Sequence, residues 1–554
     1  MAAFLPNLED LTLKEQVAQM VVVRASGHLF NHQIEYPIWE PPAATLRHWL
    51  QDLGVGGVLL LGGTAAEVGL RSHQLQEWAT IPLLVSADIE EGVGQRFAGA
   101  TWFPPPMALG AIAQRDLDKA QACAEQMGRA TAEEALAIGI NWLLAPVVDV
   151  NNNPNNPVIN VRSFGETPEG VSQLITAFIR GAAPYPVLTA AKHFPGHGNT
   201  AVDSHLHLPV LPHSLEQLAE VEFPPFRAAM AAGVDAVMTA HLQIPALDGD
   251  RPATLSHAIL TRLLRQQLGF NGLIVTDALV MGAITDRFGA REAPVLAVEA
   301  GADVVLMPVD PVGAIDAVCQ AVETGRIAPE QIQASVERIW QAKQKVYAPA
   351  IKGDTSHAWE NLPPPPIQLD HLARPEAIAT AQTIVQDSMQ ARVPHPVQPS
   401  AAARNVIVVD ELLACRFLQP QSPAIALPRR MGYQLQLVDR YTATVLPDPT
   451  AEGLAPTLLQ LFIRGNPFRD PTGLIKLAKT WFQSLLTSQD LQALIIYGSP
   501  YVLEQFLPEL PSHIPYLFTY GQMDTAQAIA LKTLFAEPRS LNAPVLAGNQ
   551  PFTD

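Results

Sequence analysis

The segment KHFPGHGNTAVDSHLHLP, from Lys192 to Pro209, gathers His193, His197, His205 and His207 with a lysine and an aspartate around glycines. Asp203 and His205 are two residues apart. In an extended segment both side chains therefore point the same way, and the carboxylate can orient the imidazole and raise its basicity. A histidine held like this can give a proton near neutral pH and take one back, which is the work of a general acid and base. Clustered histidines can also bind a metal. These lack the CxxC or HExxH spacing of familiar zinc sites, and no cysteine lies near them.

Such groups need a scaffold, and the first 350 or so residues alternate short apolar runs with longer amphipathic segments. The runs are 17–23, 55–61, 82–88, 140–150, 186–194, 234–241, 272–277 and 302–308, eight candidate strands separated by helical patterns such as 116–139 and 214–233. That alternation predicts an α/β fold with a parallel sheet and helical crossovers, and eight units predict a closed (β/α)8 barrel. In a barrel of this kind functional side chains collect where the strands end at the C-terminal face. The residues at those ends are Asp88, Asp149, Lys192 with His193, His241 and Asp277. Any one of them is equally at home as a helix cap or loop anchor, and their joint placement carries the signal.

After Val346 the character changes. Residues 348–370 hold four consecutive prolines, Pro363 to Pro366, which form neither helix nor central strand, and read as a semi-rigid linker. The expected division is a barrel over 1–347, that linker, and a smaller α/β domain over 371–554 with strands at 405–410, 433–439, 493–498 and 515–521. This second domain shows no catalytic constellation of its own.

Composition narrows the classes. Hydrophobic residues make up 48% and charged residues 16% of 554, which describes globular domains with large interiors. A net charge of −18 argues against nucleic-acid and anionic-membrane partners. Cys123, Cys319 and Cys415 are far apart and make no disulfide framework. The N-terminal MAAFLPNLEDLTLKEQ has no secretory pattern and no long apolar run occurs, so the expectation is a soluble cytoplasmic protein.

Four motifs together resemble the family 3 glycoside hydrolases, and within them the β-N-acetylglucosaminidase branch. They are KHFPGHG at 192–198, DSH at 203–205, VTDALVM at 275–281 and NVRSFG at 160–165. The resemblance implies a (β/α)8 TIM-type barrel followed by an αβα sandwich-like domain. It implies Asp277 as the nucleophile of a retaining reaction, His205 as acid/base and Asp203 as its orienting partner. It further implies sugar-binding roles for Asp88, Arg96, Arg162, Lys192 and His193, and no metal or cofactor. Around Asp88 the family pattern resembles DQEGGRVQRF, whereas this chain reads DIEEGVGQRF, with Glu91, Val93 and Gly94 as departures.

The activity expected from the resemblance is that of an exo-β-N-acetylglucosaminidase acting on peptidoglycan-derived or related glycosides. A small carbohydrate is then its partner. The alternatives are a β-glucosidase, β-xylosidase or phosphorylase of the same family, and a catalytically silent sugar-binding protein.

Overall fold

The computed structural model describes residues 5–200, 208–347, 367–399, 402–441, 455–465 and 472–535. Asp203, His205 and His207 lie outside these residues, as does most of the Pro-rich stretch.

Eight parallel strands form the first sheet: β1 Val21–Ser26, β2 Gly57–Leu61, β3 Leu84–Ala87, β4 Trp142–Leu143, β5 Leu188–Phe194, β6 Ala236–Thr239, β7 Leu273–Val275 and β8 Val305–Leu306. Each neighbours the next, β8 returns to β1 through Val21↔Val305, and a parallel bridge Val275↔Val304 closes the ring. Seven of the eight predicted apolar runs contain one of these strands, whereas the run 17–23 covers the end of the helix Leu13–Gln19 and only the first half of β1. The reason is burial on both faces: a parallel strand between barrel interior and helical shell is apolar throughout, and the strands of this sheet are buried almost end to end. Helices such as Leu117–Ala137 and Pro168–Ala182 supply that shell, started by side-chain caps from Asp116 and Thr167.

Two further strands differ in detail from their runs. The 140–150 run is regular only at Trp142–Leu143, because Pro146 has no N–H to give the ladder. Pairing resumes at a Val147↔Lys192 bridge, where Val148 N donates to Lys192 O at 2.8 Å. Strand β5 runs on through Phe194, so Lys192 and His193 are strand residues and the loop begins after them.

The second sheet contains β9 Gln390–Arg392, β10 Arg404–Val408, β11 Gln434–Val438, β12 Thr457–Ile463, β13 Leu491–Gly498 and β14 Tyr516–Thr519. Its order is β11-β10-β12-β13-β14-β9, parallel except for β9 against β14. Of these, β9 and the central β12 were not among the predicted strands. The second domain is bonded closely to the barrel. Lys119 pairs with Asp387 at 2.6 Å, the Tyr501 hydroxyl bridges Glu166 and Asn151 at 2.5 and 2.8 Å, and at the end of the linker Gln368 N donates to Ala137 O at 2.9 Å.

Candidate active site

The C-terminal ends of the barrel strands open into a cleft lined by Asp88, Glu90, Arg96, Arg162, Lys192, His193, His197 and Asp277, with Phe462, Arg464, Gln522 and Met523 from the second domain. Strand β5 explains how two consecutive residues share it. Side chains alternate across a regular strand. Here the β5–β6 register shifts, Lys192 pairing with Met238 and Phe194 with Thr239, so His193 is the extra residue of a bulge. Lys192 and His193 thereby both reach the cleft.

Lys192 is almost fully buried, and its Nζ lies 2.8 Å from Asp88 Oδ1 and 2.6 Å from Glu90 Oε1. Glu90 also receives a two-pronged contact from Arg162, whose Nε and Nη2 lie 2.8 Å from its two oxygens. Burial alone would neutralise such groups. Here the attraction wins: Arg162 and Lys192 hold the Glu90 carboxyl well below the usual range, and Asp88 and Glu90 raise the Lys192 ammonium above its own. The result is a fixed array in which Glu90, Arg162 and Lys192 keep their charges, able to pair desolvated hydroxyl groups through charge-assisted hydrogen bonds. Arg96 serves the same array by donating from Nε to the Asp88 carbonyl at 2.9 Å.

Asp149 organises the neighbouring turn. Its carboxylate lies 2.8 Å from His193 Nδ1 and accepts the His197 backbone N–H at 2.7 Å. Although burial opposes its charge, His193 and these hydrogen bonds keep it below the ordinary aspartate value. Asn156 clamps the other side of the turn, its Nδ2 donating to the carbonyls of His197 and Gly198 at 2.9 and 2.8 Å. Burial pushes the His197 imidazole down to about 4, so this ring is neutral at pH 7.

Asp277 lies two residues beyond the end of β7, half-buried and lining the cleft. Its Oδ1 accepts the Ala278 N–H at 2.7 Å. His241 is wholly buried beside it, with Nδ1 at 2.8 Å from Thr254 Oγ1 and Nε2 at 3.1 Å from Ala278 O. This strand-end histidine therefore supports the backbone after Asp277.

Glu222 packs against the His193–His197 turn through Gly196, in a stretch whose pattern over 214–233 predicts an ordinary helix. The segment Leu218–Glu222 is a widened i→i+5 turn between helical pieces Leu215–Gln217 and Phe223–Ala231. Pro224 and Pro225 have no N–H to close normal helical bonds there. The Glu222 side chain abuts Gly196, whose φ of +130° suits glycine and whose missing Cβ would lie 2.2 Å from Glu222 Oε2. Neither carboxyl oxygen has a hydrogen-bond partner among the described residues. Burial, reinforced by the Asp149 charge, pushes this carboxyl up to about 8.

The folded protein thus keeps a proton that the unfolded chain releases above about 4.5. Stability contributed by this group is full below that value and falls as pH rises to about 8, by at most about 1.4 kcal/mol per unit. Glu222→Gln, neutral throughout, is expected to gain in melting temperature over the parent across this window and to hold a constant gain above it. Melting curves recorded from pH 4 to 9 check this, and parallel curves for the two proteins would refute it.

Of the residues predicted from sequence, Asp88, Arg96, Arg162, Lys192, His193 and Asp277 line this single cleft, whereas Asp203 and His205 lie outside the described residues. Glu90, the link between Lys192 and Arg162, was missed. Its signal was its place two residues after Asp88 in DIEEGVGQRF.

Residues 12–342 match the family description "Glycosyl hydrolase family 3 N terminal domain", and residues 397–536 match "Bacterial Glycosyl hydrolase family 3 C-terminal domain". The chain is 38% identical over 300 residues to the β-hexosaminidase A of Pseudoalteromonas piscicida, an alignment spanning half of either protein. It is 32% identical over 407 residues to a β-N-acetylglucosaminidase/β-glucosidase of Cellulomonas fimi, covering 71% of this chain and 68% of that one. A solved family 3 β-N-acetylglucosaminidase from Paenibacillus sp. strain FPU-7 superposes with a TM-score of 0.73 at 30% identity, covering 95% of this chain and 97% of that one.

Proposed function

Because the chain belongs to glycosyl hydrolase family 3, we propose that it releases β-linked N-acetylglucosamine from the ends of peptidoglycan-derived or related glycosides, with retention of configuration. The observation that carries this reading is the convergence of Asp277 with the Lys192–Asp88–Glu90–Arg162 array in one cleft. The array offers several oriented, charged partners to uncharged sugar hydroxyls, and Asp277 offers a carboxylate where the bond is broken.

In the first step an Asp277 oxygen attacks the anomeric carbon while the bond from that carbon to the leaving oxygen breaks. The leaving oxygen takes a proton from the His205 imidazolium. In the second step neutral His205 removes a proton from water, the water oxygen attacks the anomeric carbon, and the Asp277 carboxylate departs. Asp203 orients the imidazole throughout. The half-reactions use no metal, and dialysis against a chelator is expected to leave turnover unchanged. Stoichiometric zinc whose removal abolishes activity would give His205 a different role.

The name of the Cellulomonas relative includes β-glucosidase, which supports glucosides as the second substrate class. Comparing aryl N-acetylglucosaminide with aryl glucoside and aryl xyloside, each with and without phosphate, tests the reading. Faster cleavage of the N-acetylglucosaminide, indifferent to phosphate, is expected. Preference for the glucoside or xyloside, or a glycosyl phosphate product, would overturn it. Proton NMR of the first sugar released decides retention, the β-anomer being expected.

A further inference from the structure

We infer that the Arg464–Gly465 dipeptide of the second domain is a positioning element for the sugar site, holding both loops that carry the Lys192 array. The inference rests on the function proposed above.

Arg464 and Gly465 follow β12 directly. Arg464 Nη2 lies 2.7 Å from Glu91 Oε1, and the other Glu91 oxygen accepts Trp102 Nε1–H at 2.9 Å. The Glu91 side chain is only 1% exposed. A carboxylate so deeply buried needs its cation, and with Arg464 gone it would retain, among the described residues, a single neutral side-chain donor. Glu91 is therefore a point at which the second domain grips the barrel. Its chain neighbour is Glu90, the residue bonded to both Lys192 and Arg162, so a displaced Glu91 drags the centre of the array with it.

Gly465 grips the second loop. A Cβ on it would come within 3.2 Å of Asn160 Cβ, so the glycine lets the second domain seat directly on the Asn160 side chain. Asn160 begins the Asn160–Arg162 turn that delivers Arg162 to Glu90, and its own N–H is held by Asn151 Oδ1 at 2.9 Å. Two adjacent residues of one domain thus touch both sugar-site loops of the other. This also gives the departure at Glu91 a purpose: a glycine there would offer Arg464 nothing to hold.

The test uses the full-length protein and whichever aryl glycoside the unaltered chain cleaves fastest. Arg464→Ala is expected to raise KM at least about 10-fold with kcat falling less, because a displaced array weakens sugar binding in ground and transition states alike. Glu91→Gln should shift KM in the same direction. The double variant should cost no more than Arg464→Ala alone, since both changes remove one contact. Arg464→Lys, keeping the charge, should recover part of the loss. A purely structural contact would lower the melting temperature and the active fraction while leaving KM untouched. Unchanged KM in Arg464→Ala, or KM penalties that multiply in the double variant, would overturn the inference. Should Arg464→Ala not fold, Arg464→Lys and Glu91→Gln carry the same comparison. An unaltered protein inert on the N-acetylglucosaminide would sink the proposed function instead, and the KM comparison would then run on the glucoside or xyloside.

Discussion

Asp277→Asn is expected to lose at least about 10⁴-fold in kcat while melting within a few degrees of the parent. The asparagine matters to the argument. Asp277 Oδ1 accepts the Ala278 N–H at 2.7 Å, and an amide oxygen can accept the same bond, so the local turn is kept while the nucleophilic carboxylate is removed. If Asp277 only organised the backbone, the variant would remain active. Asp277→Ala, which deletes both roles, should be no less inactive than Asp277→Asn. A 5-fluoro glycoside should label this residue covalently, because the fluorine slows breakdown of the glycosyl-enzyme and lets it accumulate. Digestion and mass spectrometry then read the site of attachment, and label on any other carboxylate would end the assignment.

The second large effect is expected at His205, and it depends on substrate. Removing the acid/base should cost about 10²- to 10⁴-fold with disaccharides or alkyl glycosides, whose leaving oxygens need protonation, and much less with nitrophenyl glycosides. Asp203→Ala should reproduce the pattern in weaker form, and the double variant should fall far short of the product of the singles, as residues acting as a unit do. Three described histidines at the barrel mouth have roles of their own. His193 is seated on Asp149, His197 is held neutral by burial, and His241 braces the backbone after Asp277. Rates plotted against leaving-group acidity decide the matter. A slope unchanged by His205→Ala would transfer the role to His207 or to a glutamate of the second domain. Multiplicative losses in the double variant would make Asp203 a loop anchor.

The difference between predicted and missed strands has a physical basis. The barrel runs were legible because a strand buried on both faces is apolar throughout and is bounded by turn residues. The run TLLQLFI of β12 is as apolar, and short runs of this kind fit a buried helix turn equally well until neighbours decide. Strand β9, Gln390–Arg392, is an edge strand with an exposed polar sequence and no hydrophobic pattern at all.

The sequence by itself determined which side chains arrive at the barrel mouth. Parallel strands linked by helical crossovers all end at one face, so Asp88, Lys192 and Asp277 meet there as a consequence of local pattern alone. What each group does on arrival was settled by contacts between residues distant in the chain. Lys192 stays charged in a buried site because Asp88, 104 residues away, lies 2.8 Å from it. Glu91, a mere departure from a loop pattern in one dimension, is held by an arginine 373 residues further on. Glu222, one acid in a helical segment, keeps its proton because packing surrounds it and, among the described residues, no donor reaches it. Ionisation and pairing depend on distance and desolvation, and those quantities exist only once the chain has folded.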